Sequence, residues 1–204
     1  MNNTKIYTFG HSNHSIERFV QIMMVHKIEL IVDVRSAPYS KLYPHFNKDL
    51  LEKVLKNNSI GYHFVGDQLG GRSKFKSDFK NGQVMYSKLA EKAEFKLAIT
   101  QLLDKARNLR ISLMCSEKEP IVCHRTILVA QALSELGVDV FHIHADSSLE
   151  SHELALQRIL VTHHLDSPDL FNLDSDRIRE ALEKQERKIA YRNDQMANGW
   201  ENEI

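Results

Sequence analysis

The sequence predicts a three-layer α/β fold, a mainly parallel five-stranded sheet with helices on both faces. Two features carry that prediction. Short β-rich runs alternate with longer stretches of helical periodicity, and the runs are nearly all apolar instead of alternating with polar residues. Strands of that kind lie inside parallel sheets covered on both sides. With 204 residues, 42% of them hydrophobic, the chain can bury a sizeable core.

The strands are expected at 5–9, 30–34, 62–65, 111–115 and 138–144. After the first, Ile16, Phe19, Val20 and Met23 recur at helical spacing behind Ser15 as N-cap, which predicts a helix over 15–27. Further helices are expected over 50–56, 86–107 and 126–136. The alternation gives crossover units and a Rossmann-like arrangement. Two extra C-terminal helices are predicted over 148–164 and 175–194, with Pro168 enforcing the break between them. The expected organisation is a single domain over 1–195 and a frayed tail over 196–204. Residues 66–87 are poor in apolar side chains, and a connection of that length suits a lid.

Charge and termini narrow the functional classes. Lys and Arg number 27, as do Asp and Glu, so no net field draws the chain to nucleic acid or an acidic membrane, and any polyanion must be gripped locally. The N-terminus turns polar after one short apolar stretch and lacks a secretion signal. No apolar run reaches the roughly 18 residues of a membrane span. Two cysteines make no disulfide framework and fit a reducing compartment, so a cytoplasmic address is expected.

In open parallel sheets ligands sit beyond the carboxyl ends of the strands, so the residues following each strand are the first candidates. They are His11 and Ser12, Arg35, Cys115 and Glu117, and Asp146. The densest motif runs from Cys115-Ser-Glu117 to Cys123-His124-Arg125 at the start of a predicted helix. A helix N-terminus favours anions, so Arg125 is a candidate fork for a carboxylate or phosphate, Cys123 a candidate activated thiol and His124 a proton carrier. The competing reading makes Cys123 a small core residue and Arg125 the partner of a nearby acid. Cys115 ends a strand, where a core role is the commoner one.

His11 lies in a turn from strand to helix, where it is either a catalytic base or a simple turn residue. Arg35 follows Asp33, and the two form either an anion clamp or an internal ion pair. Arg72 follows Gly70-Gly71, a shape suited to close approach of a ligand. Asp146 with Glu150 and His152 is a candidate acid/base cluster. Eight positions separate the two cysteines, with no C-x-x-C or H-x-x-x-H, so the spacing argues against a zinc site and no metal ligand is assigned.

Gly10-His11-Ser12-Asn13, Val32-Asp33-Val34-Arg35-Ser36 with Pro44-His45-Phe46-Asn47, Gly66 to Arg72, Cys115-Ser116-Glu117 and Cys123-His124-Arg125 occur in order. This series resembles the family known as domain of unknown function four-eight-eight. The resemblance extends over Leu170-Phe171 to Lys188-Ile189-Ala190-Tyr191. It brings no activity or cofactor with it, but it implies recurring positions: His11, Ser12, Arg35, Asn47, Gly70, Arg72, Cys115, Glu117, Cys123, His124, Arg125 and His152. Where similar proteins carry Asp-Gly after the last strand, this chain has Asp146-Ser147, so a left-handed turn there is strained.

The leading expectation is an enzyme or sensor for a phosphorylated or nucleotide-like small molecule, with Arg35, Arg72 and Arg125 as clamps and His11, Cys123 and His124 as catalytic candidates. Two alternatives stand beside it. One is a nucleic-acid-binding module using the basic stretch Arg72 to Lys76 with Lys80; the other is a redox or metal sensor built on Cys115 and Cys123.

Overall fold

A computed structural model describes residues 4–167 and 174–197. The expectations on Pro168, Leu170, Phe171 and residues 198–204 lie outside the described residues. The strands are β1 (Lys5–Gly10), β2 (Leu30–Asp33), β3 (Gly61–Phe64), β4 (Phe79–Lys80), β5 (Gln83–Val84), β6 (Ile111–Cys115), β7 (Asp139–Ile143) and β8 (Leu149–Ser151). The helices are α1 (Ile16–Val25), α2 (Lys48–Asn57), α3 (Gly66–Leu69), α4 (Tyr86–Glu91), α5 (Ala93–Ala106), α6 (Gln131–Glu135), α7 (His152–Thr162) and α8 (Asp174–Ile189).

The main sheet has the order β3-β2-β6-β1-β7-β8, parallel except for β8, which runs antiparallel to β7. β4 and β5 form a separate hairpin. Alternation along the strands separates two cores. Ile6, Val32, Leu113 and Val140 face Ile99 and Leu102 of α5 and Leu133 of α6. Tyr7, Phe9, Ile31, Met114 and Ile143 face Phe19, Ile22 and Met23 of α1 and Leu51 and Leu55 of α2. Helices therefore cover both faces, and α8 adds its Leu182–Ile189 seam, with Ala190 just beyond it, to the first core.

Three predicted elements differ in outline. The helix expected from 148 begins instead as β8, because Ser147 adopts φ +74° and turns the chain back onto β7. The expected strain at Ser147 is therefore present. The helix over 86–107 is broken at Lys92, whose extended ψ of 141° separates α4 from α5. The helix expected from 126 starts as a π-helical turn over Arg125–Ala130, with α6 continuing it. Residues 66–87 hold α3 and the β4–β5 hairpin. This segment is tied down by the Lys92–Asp78 ion pair at 2.5 Å and by the Val84 amide donating to Tyr191 O at 3.0 Å.

Candidate metal centre and its pocket

The site grows from the connectivity. From β1 the chain crosses to β2 through α1 on one face, and from β6 it crosses to β7 through the Arg125–Ala130 turn and α6 on the other. The adjacent ends of β1 and β6 thus send the chain in opposite directions, which opens a crevice at the carboxyl edge. The ladder continues past both strands, with the amides of His11 and Ser12 donating to Cys115 O and Ser116 O, each at 2.9 Å. The two loops run so close that a Cβ on Gly10 would lie 1.7 Å from Glu117 O, so only glycine fits there.

Beyond β6 the chain makes a turn at Pro120–Val122 and returns, which brings Cys123 and His124 back beside Cys115. Ligand-capable atoms of Cys115, Glu117, Cys123 and His124 all lie within 4.8 Å of one another. Glu117 Oε2 accepts from Cys115 Sγ at 2.8 Å and Cys123 Sγ at 3.0 Å. His124 Nδ1 is 3.6 Å from Cys115 Sγ and 3.9 Å from Cys123 Sγ. The other ring nitrogen, Nε2, donates to Val34 O at 2.9 Å, which fixes the ring and leaves Nδ1 facing the sulfurs. Both cysteines are buried and unbridged; Glu117 is the exposed member.

Charge at the cluster is uneven. Burial pushes the Cys115 thiol up, and the neighbouring Cys123 pushes it further. Burial acts the same way on Cys123, but the hydrogen bond from Cys115, the Arg125 guanidinium and His124 together bring it well below the ordinary thiol value. Burial and then Cys123 raise the Glu117 carboxyl. Burial opposes protonation of His124, whereas the Cys123 hydrogen bond and charge raise it above the usual imidazole value. Arg125 is fully buried and donates to Glu117 O at 2.5 Å and Lys118 O at 3.2 Å. Among the described residues no carboxylate pairs with it, and its charge is one of the causes that lower the Cys123 thiol. Its hydrogen bonds hold the loop that carries Glu117.

The donor set fits a tetrahedral zinc-class cation. Bond lengths of about 2.3 Å to sulfur and about 2.0–2.1 Å to nitrogen or oxygen place sulfur about 3.6 Å from nitrogen or oxygen around the metal. The sulfur–nitrogen distance of 3.6 Å from Cys115 matches, and that of 3.9 Å from Cys123 must shorten by about 0.3 Å. The sulfur–oxygen distances of 2.8 and 3.0 Å require the Glu117 carboxylate to withdraw by about 0.6–0.8 Å.

A pocket of about 180 Å³ opens over the cluster, lined also by Arg72, Tyr86 and Tyr191. Of the three arginines expected as clamps, Arg35 and Arg72 line the pocket, and only Arg72 is exposed. Arg35 is buried and donates to both carboxylate oxygens of Asp33, to Phe46 O and to His11 Nε2. Arg125 is held by loop carbonyls. Arg72 is exposed, with its guanidinium 4.7 Å over the Tyr191 ring.

The other candidates lie elsewhere. His11 donates through Nδ1 to Ser12 O at 3.0 Å, accepts at Nε2 from Arg35 and stacks on Phe46 at 4.1 Å. Burial and then Arg35 lower its pKa to about 4, so it is a neutral acceptor at pH 7. Ser12 serves the turn through its amide, Asn47 Oδ1 accepts from the Ser40 amide at 2.6 Å, and exposed Asp146 accepts from Ser148 in the turn before β8. His152 belongs to a buried chain in which Thr8 Oγ1 donates to His142, His142 to His152 at 3.2 Å, and His152 to Gln131 Oε1 at 3.1 Å. Tyr86 joins the site without having been a sequence candidate. Gly71, whose pairing with Gly70 suggested close approach, packs on His124, where a Cβ would lie 2.9 Å from the imidazole stem.

A parallel α/β protein that gathers two thiols, a carboxylate and an imidazole at its strand-edge crevice is the class that fold and site define. The model of the family described as Domain of unknown function DUF488 matches residues 15–132, more than half of the chain, and the chain belongs to that family. Comparison with curated proteins and with solved structures finds no match. Among the described residues no helix is long and apolar enough to cross a membrane.

Proposed function

We propose that this protein holds a zinc-class divalent cation through Cys115, Cys123 and His124, with Glu117 as a displaceable fourth ligand, and presents it to a small-molecule ligand in the adjoining pocket. The observation that carries the reading is the convergence of Cys115 Sγ, Cys123 Sγ, Glu117 Oε2 and His124 Nδ1 within 4.8 Å, with His124 oriented by Val34 O. Four groups that all lose or lack protons in their ligating form make a donor set for a cation. Two thiolates and one carboxylate around a divalent ion sum to one negative charge, which buried Arg125 balances.

Two thiolates with one imidazole make a donor set that leaves a fourth position for water or substrate when the carboxylate withdraws. When bound, the ion supplies Lewis-acid polarisation of a ligand oxygen or of water. The protein's own groups do the rest: Arg125 positions the Glu117 loop, Val34 O orients His124, and Arg72 attracts negative charge at the mouth. The phosphorylated or nucleotide-like ligand expected from the sequence fits this pocket through its anionic end, with Arg72 as its exposed arginine.

Titration of the metal-free protein with cobalt(II) tests the reading. The expected result is one equivalent bound, with thiolate-to-cobalt absorption that falls by half in Cys115→Ser and in Cys123→Ser. Binding without thiolate absorption would overturn it.

A second reading, an activated thiol, draws on the lowered Cys123 pKa beside His124. It predicts rapid alkylation of Cys123 in the metal-free protein that zinc does not slow; protection by zinc favours the metal centre.

A further inference from the structure

The pocket over the cluster contains a second built element that the metal reading leaves unused. Tyr86 is 5% exposed, and its ring is held at the start of α4, where its amide donates to Glu186 Oε1 at 2.9 Å. Its hydroxyl reaches the pocket beside Gly71, where it would lie 3.3 Å from a Cβ placed there. Among the described residues that hydroxyl has no hydrogen-bond partner. A hydroxyl that opens on the pocket without a protein acceptor can donate to a ligand oxygen there.

Arg72 lines the same pocket. Its backbone amide donates to Ser36 Oγ at 3.1 Å, and its guanidinium lies over Tyr191. Stacking occupies the face of the guanidinium and leaves its N–H edges for a planar or tetrahedral oxyanion. Among the described residues it has no carboxylate partner. The pocket lining thus combines a fork of charged donors, a single neutral donor, and Cys115, Cys123 and His124.

We infer that Tyr86 and Arg72 form a two-point anchor for the oxyanion group of the ligand, a carboxylate or a phosphate, and hold one of its oxygens over the Cys115–Cys123–His124 cluster. This rests on the metal reading for what lies beneath the anion, but the anchor itself is made by residues outside the donor set. Phosphate and carboxylate differ in shape, so the two sources separate by which probe binds more tightly.

The test is calorimetric titration of cobalt-loaded and metal-free protein with inorganic phosphate and with acetate. The wild type, Tyr86→Phe and Arg72→Ala are each compared. The expected result is saturable binding to the wild type that weakens about tenfold or more in either variant. Cobalt content and thermal midpoint should stay unchanged in Tyr86→Phe, since the lost hydroxyl had no partner to leave behind. If both variants bind as the wild type does, or the wild type binds neither anion, the anchor is overturned. If no cobalt is taken up while phosphate still binds through Tyr86 and Arg72, the metal reading fails and the anchor stands. If cobalt is taken up but the anions bind independently of Tyr86, the anchor fails and the metal reading stands.

Discussion

Removing the Glu117 carboxylate has different consequences with and without metal, and the contrast isolates its role. In the metal-free protein Oε2 lies 2.8 and 3.0 Å from two sulfurs, and the carboxyl is pushed up by burial and then by Cys123. Glu117→Ala gives up two thiol hydrogen bonds but also removes an acid from an anionic cluster, so these effects offset. The metal-free midpoint should move by no more than about 2 °C. In the metal-loaded protein the same change removes a ligand. Loss of even an outer-shell partner costs about 10–100-fold in metal affinity, or about 1.4–2.7 kcal/mol. Binding to the native state stabilises by mass action, and about 2–4 °C per kcal/mol applies to a chain of this size. The zinc-induced rise in midpoint should therefore be smaller in Glu117→Ala by roughly 3–10 °C. Differential scanning calorimetry of both proteins, metal-free and with excess zinc, reads it. An equal rise in both proteins would refute the ligand role, and an equally large loss without metal would make Glu117 structural only.

Other consequences follow from the packing and the buried histidines. Gly10→Ala drives a methyl into Glu117 O, and the displaced loop should lower stability by about 2 kcal/mol or more and weaken cobalt binding, both measurable by denaturation and titration. Ser147→Gly relieves a φ of +74° and should raise the midpoint by about 1–4 °C; no change would show that the turn is unstrained. Burial first, and Arg35 also at His11, hold His11 and His152 to about 4. Below about 6.5 the unfolded chain takes up protons that these folded imidazoles refuse. Their contribution is present in full above about 6.5 and is lost as pH falls through about 4, roughly 2 kcal/mol each by pH 5. Urea unfolding at pH 7 and pH 5 checks this, and a smaller loss in His152→Phe assigns the share of His152.

The layers of the fold were legible because Leu30–Asp33 and Ile111–Cys115 are buried on both faces, which only a covered sheet allows. β8 was not, because three residues behind a strained serine carry no period of their own, and Leu149–Ser151 is a strand only through its pairing with β7. The Cys115–Glu117 and Cys123–Arg125 motifs were visible as a polar concentration, yet their convergence was not. Eight positions of separation look wrong for a metal site until the Pro120–Val122 turn folds the loop back on itself. Tyr86 sits well outside any motif, and its amide is taken by Glu186 of α8, far along the chain. The arginines show what burial adds to residue type: Arg35 pairs with Asp33, one of the two readings its sequence position allowed, and Arg125 is held beneath the Glu117 loop, whereas Arg72 stays exposed.

The central claim rests on the four-residue donor set, and metal content tests it most directly. Protein loaded with zinc and dialysed at about pH 7.5, where thiolate ligation is favoured, is assayed by plasma mass spectrometry alongside Cys115→Ser, Cys123→Ser and His124→Ala. The account predicts one tightly held ion per chain in the wild type and its loss from each variant. Wild-type protein that keeps no metal, or variants that keep as much as the wild type, would contradict it.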